Sequence, residues 1–274
     1  VQGAARFGSI EGMPDAILKT LEQYYDSVPR RFARAEDFGP LTLFVRESPG
    51  FPYYARPTLS STGPASVEQV HQVRARQREL KIPEAFEWVE RTSPWLADPV
   101  EASGIEVHRH PLMVLDRAHI ASREGARILG SDDPAIAESM AAVHLGFDAN
   151  PAGETESRQL EAQTAQLIAD GTAAALADRI AAGITVLAAA FEDGRAVSAG
   201  QHTAVDSVTE IAGVATLPSA RRRGHAGAVT AALVADALAR GVETVFLSAG
   251  DDDVARIYAS LGFVRVGTAC IAEA

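Results

Sequence analysis

Residues 214–228 read VATLPSARRRGHAGA, and this short segment restricts the chain more than any other. A β-prone run ends at Leu217 and Pro218. Three arginines follow, and small residues then open a long alanine-rich stretch. Proline stops the strand. Gly224, Ala226, Gly227 and Ala228 leave room for a ligand beside the backbone of a helix's first turn. The N–H groups of that turn lack intrahelical partners and carry the positive end of the helix dipole. Arg221, Arg222 and Arg223 add forked donors that match phosphate oxygens. On these grounds the segment is a diphosphate site.

The spacing excludes two common kinds of phosphate loop. A nucleoside-triphosphate loop ends in Gly-Lys-Ser/Thr, and no lysine or hydroxyl stands in that register. A dinucleotide fingerprint starting at Gly224 would place Ala226 and Val229 in its later glycine slots. The pattern Arg221-x-x-Gly224-x-Ala226 instead resembles the Arg/Gln-x-x-Gly-x-Gly/Ala signature of the GNAT acetyltransferases. Downstream, residues 251–263, DDDVARIYASLGF, resemble that family's Asn-x-x-Ala-x-x-x-Tyr-x-x-x-Gly-Phe stretch. Asp251 stands where the family usually has Asn, and Val254 where it has Ala. Asp251 can accept hydrogen bonds but cannot donate an amide N–H. The specific resemblance covers roughly residues 184–271, and a looser one reaches back to 126.

The order of elements is consistent with this. Apolar periodicity predicts helices over 10–25, over 67–80 behind Ser66 as N-cap, over 94–102, and from Asp132 or Asp133 to Phe147. Residues 150–183 read as one or two helices broken at Gly171. Strands are expected at Leu41–Arg46, 53–59, 84–89, 105–115 and 126–129. Pro52 and Pro57 make 53–59 an edge or irregular strand. From 184 the period changes to strand, Asp193-Gly194 turn, strand, strand, with the hairpin signal at the turn. A helix (226–240), a strand (Thr244–Ser248), a helix (252–261) and a last strand (263–271) follow. The fold class is therefore α/β, with a mixed, mostly antiparallel sheet flanked by helices.

Residues 84–107 repeat the order of 243–265 as strand, helix, Gly and strand. Two readings stand: a duplicated α/β unit, or the ordinary likeness of one such unit to another. The duplication places domains at 1–120 and 121–274, the first a degenerate GNAT-like unit. Its helix start, Gly63-Pro64-Ala65-Ser66, lacks the arginine and paired small residues, so it is not expected to hold coenzyme A.

The resemblance implies acetyl transfer from acetyl-CoA, by direct attack, to a primary amine on a small molecule or peptide. It implies that the backbone of Val214, Ala215 and Thr216 pairs with pantetheine as an added strand would. A splay of this strand would expose an N–H to the thioester oxygen. The loop residues Arg221, Arg222, Arg223, Gly224, His225, Ala226, Gly227 and Ala228 would hold the pyrophosphate, and Asp251 would touch the cofactor. Glu210 precedes Val214 by four residues on the same strand. Strand periodicity would put the two side chains on one face, with Glu210 placed to take the amine's proton. Tyr258 takes the family's place for the acid that protonates the leaving thiolate; the bland reading is an aromatic packed on Phe263.

His202 and Asp206 are weaker candidates for lining an acceptor cleft. His108 and His110 alternate with Arg109 as a solvated strand face, and no metal is expected. The run Asp251, Asp252, Asp253 reads best as a helix cap. A second class of function, a non-catalytic acyl-CoA sensor, shares the phosphate loop and would lack turnover.

Composition narrows the rest. Hydrophobic residues make up 47% of the 274-residue chain and charged residues 22%, enough apolar material for a core without staples. A formal net charge of −11 weighs against a nucleic-acid partner. The single cysteine, Cys270, excludes an intrachain disulfide and fits a reducing compartment. No secretory leader or run of roughly 20 apolar residues is evident, so the expectation is a cytoplasmic protein, monomer or homodimer, away from membranes.

Overall fold

The structure is a computed structural model that describes residues 15–47, 49–50, 52–59, 61, 63–147 and 154–274. It divides into two compact units. The first comprises residues 1–46, 52–119 and 248–274; the second comprises 47–51 and 120–247.

The first unit opens with α1 (Asp15–Arg30), which buries Leu18, Leu21, Tyr24 and Tyr25. Ile10, the start of the expected helix, lies outside the described residues. The sheet contains β1 (Ala33–Asp37), β2 (Leu41–Arg46), β3 (Ala55–Pro57), β4 (Ala85–Val89), β5 (Val107–Leu115) and β11 (Phe263–Glu273). Helices α2 (Val67–Leu80), α3 (Ala97–Ala102) and α8 (Asp252–Ala259) complete the unit. The sheet order is β1-β2-β3-β4-β11-β5, and β3 with β4 is its one parallel pair.

Ser66 caps α2 as its sequence requires. Its Oγ accepts the Gln69 N–H at 3.2 Å, and Gln69 Oε1 accepts the Ser66 N–H at 2.9 Å. Strand β1 has no apolar alternation and is half or fully exposed, so no period-2 signal marked it. Strand β3 is interior and fully buried rather than an edge. It tolerates Pro57 because the proline is its last residue, opposite Leu41. The core joins Leu43, Val70, Phe86, Trp88 and Val100 to Cys270 and Ala272 of β11.

The second unit holds β6 (Ala126–Ile128), β7 (Val186–Glu192), β8 (Arg195–Val205), β9 (Val208–Thr216) and β10 (Thr244–Ser248). Helices α4 (Ile136–Phe147), α5 (Glu154–Ala169), α6 (Thr172–Ala181) and α7 (His225–Ala239) belong with it. Strands β6 to β9 form an antiparallel series, and β10 joins β9 in parallel. Asp193 and Gly194 both take positive φ, 47° and 81°, so the β7–β8 turn is of the primed hairpin type. Gly171, at φ 81°, separates α5 from α6. Alternate residues of β8 face opposite ways. Val197 and Ala199 enter the core with α4 residues such as Ala141 and Leu145. Gly200 meets Val229 of α7, and His202 meets Asp236 of α7.

Residues 248–274 were expected to close a domain spanning 121–274. They pack with the N-terminal unit, because β11 pairs along β4 and along β5.

Candidate functional site

Strand β9 is irregular where the sequence places the cofactor. Its ladder to β8 jumps from Gln201↔Ala212 to Ala199↔Ala215, so Gly213 and Val214 stand opposite Gly200 alone. This is a β-bulge, with Gly213 in the left-handed region at φ 63°. The bulge inverts the face pattern. Thr209 Oγ1 meets His202 Nδ1 at 3.2 Å, so Thr209 faces α7 and its neighbour Glu210 faces the other way. Val214 packs on Gly200 and faces α7 as well. Glu210 and Val214 therefore lie on opposite faces, not on one. The extra residue defeats the period-2 count.

On its other edge, β9 pairs with β10 only from Val208↔Thr244 to Glu210↔Phe246. Both strands continue, β9 to Thr216 and β10 to Ser248, without further register. The two strands thus splay after Glu210. Among the described residues the β9 edge from 211 to 216 has no strand partner on that side. Glu210 is half-buried at the apex of the splay.

A single 3-10 turn, Pro218–Ala220, links β9 to the arginine loop. Ser219 donates both its N–H (3.1 Å) and its hydroxyl to the buried Glu156 carboxylate of α5. Arg221 Nη2 donates to the Gly146 carbonyl at the end of α4 (2.9 Å), and Nε donates to the Thr216 carbonyl (3.4 Å). The Arg221 guanidinium thus fastens the loop to α4. Gly146 is a close approach: a Cβ there would stand 2.7 Å from Ala215 Cβ.

Arg222 sits at φ 62° and Gly224 at φ 91°. A left-handed arginine stores backbone strain of the kind that clusters at ligand sites. Its side chain is exposed and makes no hydrogen bond or ion pair among the described residues. Arg223 Nη1 and His225 Nε2 both contact the Glu192 carboxylate, each at 2.7 Å. These two partners, His225 first, hold Glu192 below the usual carboxylate range. Gly224 is the N-cap of α7, and the Ala228 N–H closes the first intrahelical bond on the Gly224 carbonyl at 3.0 Å. The N–H groups of His225, Ala226 and Gly227 therefore precede that ladder. Arg123 crosses this first turn: a Cβ on Gly227 would meet Arg123 Cδ at 3.1 Å.

Glu192, Glu156 and Arg123 were not foreseen. Each is distant in sequence from the loop, and only chain folding brings it there. Glu192's place at the strand end before Asp193-Gly194 was the one available signal.

In the first unit, Tyr258 is 6% exposed and packs edge-to-face on Phe263, with ring centroids 6.1 Å apart. Burial pushes its phenol up to about 12. Asp251 Oδ1 accepts the Val254 N–H at 2.7 Å and so caps α8. That carboxylate oxygen is engaged by its own helix.

The remaining candidates have ordinary partners. His202 is buried between Thr209 and Asp236, with Nε2 3.1 Å from Asp236 Oδ2. Asp206 is the exposed left-handed residue of the β8–β9 turn. His110 Nδ1 meets the Gly250 carbonyl at 2.8 Å, and Arg109 pairs with Glu90. Among the described residues no group of three or more His, Cys, Asp or Glu is arranged to hold a metal. No helix among them is long and apolar enough to cross a membrane.

Residues 154–263 match the model of the Acetyltransferase (GNAT) family. No curated protein matches the sequence. Three solved structures align over nearly the whole chain. A GCN5-related N-acetyltransferase from Kribbella flavida is 22% identical, with a TM-score of 0.65 and 96% of each chain covered. A putative GNAT-family acetyltransferase from Novosphingobium aromaticivorans is 17% identical, with a TM-score of 0.56, covering 94% of this chain and 96% of that one. A tandem GNAT protein from the clavulanic acid biosynthesis pathway is 17% identical, with a TM-score of 0.50, covering 95% and 92%. The chain has the fold of these structures over its length, and its residues 154–263 are similar to the GNAT acetyltransferase family.

Proposed function

We propose that the protein is an acetyl-CoA-dependent N-acetyltransferase acting on a primary amine. The observation that carries this reading is the splay of β9 from β10 beside the arginine loop. It opens a strand edge that ends at a helix start, which suits a ligand with two amides and a pyrophosphate. The residues present fit such a group. The β9 backbone from 211 to 216 offers pairing to amides. The first-turn N–H groups of α7 and the Arg222 guanidinium offer donors to phosphate. Acetyl-CoA supplies an acyl group activated as a thioester.

The chain's own residues would supply orientation and proton transfer. Glu210, at the apex of the splay, is the base that takes the amine's proton, directly or through water. An N–H of the bulged segment stabilises charge on the carbonyl oxygen. Tyr258, which by the family resemblance is the acid for the departing thiolate, carries its proton at neutral pH.

Calorimetry with coenzyme A on the wild type and Arg222→Glu tests the cofactor site. Among the described residues the Arg222 side chain has no hydrogen bond or ion pair to lose, and the reversal should weaken binding at least about tenfold. Equal affinity would remove the loop from the cofactor site. Release of free thiol from acetyl-CoA over a panel of amines tests catalysis, and Tyr258→Phe should lower the maximal rate. Tight binding without turnover of any amine would favour the acyl-CoA sensor.

A further inference from the structure

Two of the three arginines in the loop are engaged by the fold itself. Arg221 donates to the Gly146 and Thr216 carbonyls. Arg223 donates Nη1 to Glu192 at 2.7 Å and Nη2 to the Ser219 carbonyl at 2.9 Å. Between them, Arg222 has neither hydrogen bond nor ion pair among the described residues. Its backbone is left-handed, at φ 62°. A residue with a side chain persists there only where its surroundings over-determine it.

Those surroundings include two carboxylates from distant elements. Glu156 of α5 is buried, and its two oxygens accept the Ser219 N–H at 3.1 Å and the Ser219 hydroxyl. The Ser219 carbonyl accepts Arg223. Glu192, at the end of β7, meets both Arg223 Nη1 and His225 Nε2. His225 is the first residue of α7. One chain of hydrogen bonds thus runs from α5 through Ser219, Arg223 and Glu192 to the first turn of α7. It clamps the loop on both sides of Arg222 and Gly224.

By charge alone, both carboxylates disfavour an anion nearby. Geometry accounts for their place beside a phosphate loop. A loop already held in its bound shape does not lose ordering entropy when the ligand arrives.

We propose that Glu156 and Glu192 are positioning residues for the cofactor's diphosphate. They set Arg222 and the first N–H groups of α7 in place before the ligand binds. Arg221 and Arg223 are then braces of the loop rather than phosphate ligands. The inference rests on the acetyl-CoA reading of this site.

The test is calorimetry on the full chain with coenzyme A and with its nucleotide half, which carries the diphosphate without pantetheine. Glu192→Ala should weaken both ligands by the same factor, at least about fivefold. Glu156→Ala should do likewise. Glu156→Gln keeps an oxygen for the Ser219 N–H and a polar partner for its hydroxyl, so affinity should return to within about twofold of wild type. Where Glu156→Ala does not fold, Ser219→Ala reads the same contact. It removes the hydroxyl alone and should give a smaller loss. All affinities are measured well below each variant's melting transition, so that general loosening does not enter. If the carboxylates instead compete with phosphate for Arg223, Glu192→Ala binds coenzyme A more tightly than wild type, and the proposal is overturned. It is equally overturned if the wild type binds and the alanine variants bind unchanged, or if the loss spares the nucleotide half. A wild type that binds neither ligand would remove the acetyl-CoA reading itself, and this inference with it.

Discussion

At the scale of single residues, His202 of the second unit is held at both ring nitrogens. It was a candidate for an acceptor cleft, and it is instead the centre of a buried chain from Thr209 through the imidazole to Asp236. Asp236 also accepts from Arg240 Nε at 2.6 Å. Burial lowers the pKa of His202 and outweighs the raising effect of Asp236. The unfolded chain, with an ordinary histidine near 6.5, then binds the proton more readily than the native state. By linkage the neutral imidazole contributes stability above about pH 6.5, and that contribution is lost as pH falls through the lower folded value. The melting temperature should drop between pH 7 and pH 5. In His202→Gln the drop should be smaller, although the variant is less stable at every pH. Parallel melting profiles for the two proteins would show that another group governs the acid limb. Sequence alone could not separate this histidine from a ligand, because its partners come from β9 and α7.

At the scale of elements, the bulge in β9 is the decisive feature. The strand, the arginine loop and α7 were all legible, because apolar alternation, Pro218 and the small residues each have a local signature. The bulge was not. It is defined by the β8 register, and a strand read alone carries no register. The cost was the face of Glu210, which a simple count put beside Val214. The bulge depends on Gly200, whose missing side chain admits Val214. A Cβ there would stand 2.7 Å from Val214 Cγ2 and 3.3 Å from Val214 Cα. The backbone atom cannot rotate away, so Gly200→Ala must displace β9 itself. Overpacking of this kind costs about 1–3 kcal/mol. The urea midpoint should fall accordingly, with the slope unchanged. If β9 carries pantetheine, coenzyme A affinity should fall as well. An unaltered midpoint would mean that β8 and β9 adjust without strain.

At the scale of the whole molecule, the chain is not two consecutive blocks. The internal likeness of 84–107 to 243–265 suggested a cut near 120, and local patterns cannot say which sheet a terminal strand joins. Strand β11 lies between β4 and β5, pairing with Ala85–Val89 on one side and with Val107–Leu115 on the other. Without it, β4 keeps one parallel pair, Ala55↔Phe86, as its strand contact within the first unit. The core would also lose Cys270 and Ala272, both fully buried. Residues 15–119 alone should therefore fail to fold, giving narrow amide dispersion and no cooperative melt. A peptide of residues 248–274 added in trans should restore both, because it supplies the missing strand together with α8. The buried Cys270, whose thiol burial pushes up to about 11, offers a second readout. In the restored complex it should resist a disulfide reagent that modifies the free peptide at once. A fragment 15–119 that melts cooperatively by itself would show that β11 completes a sheet already stable without it.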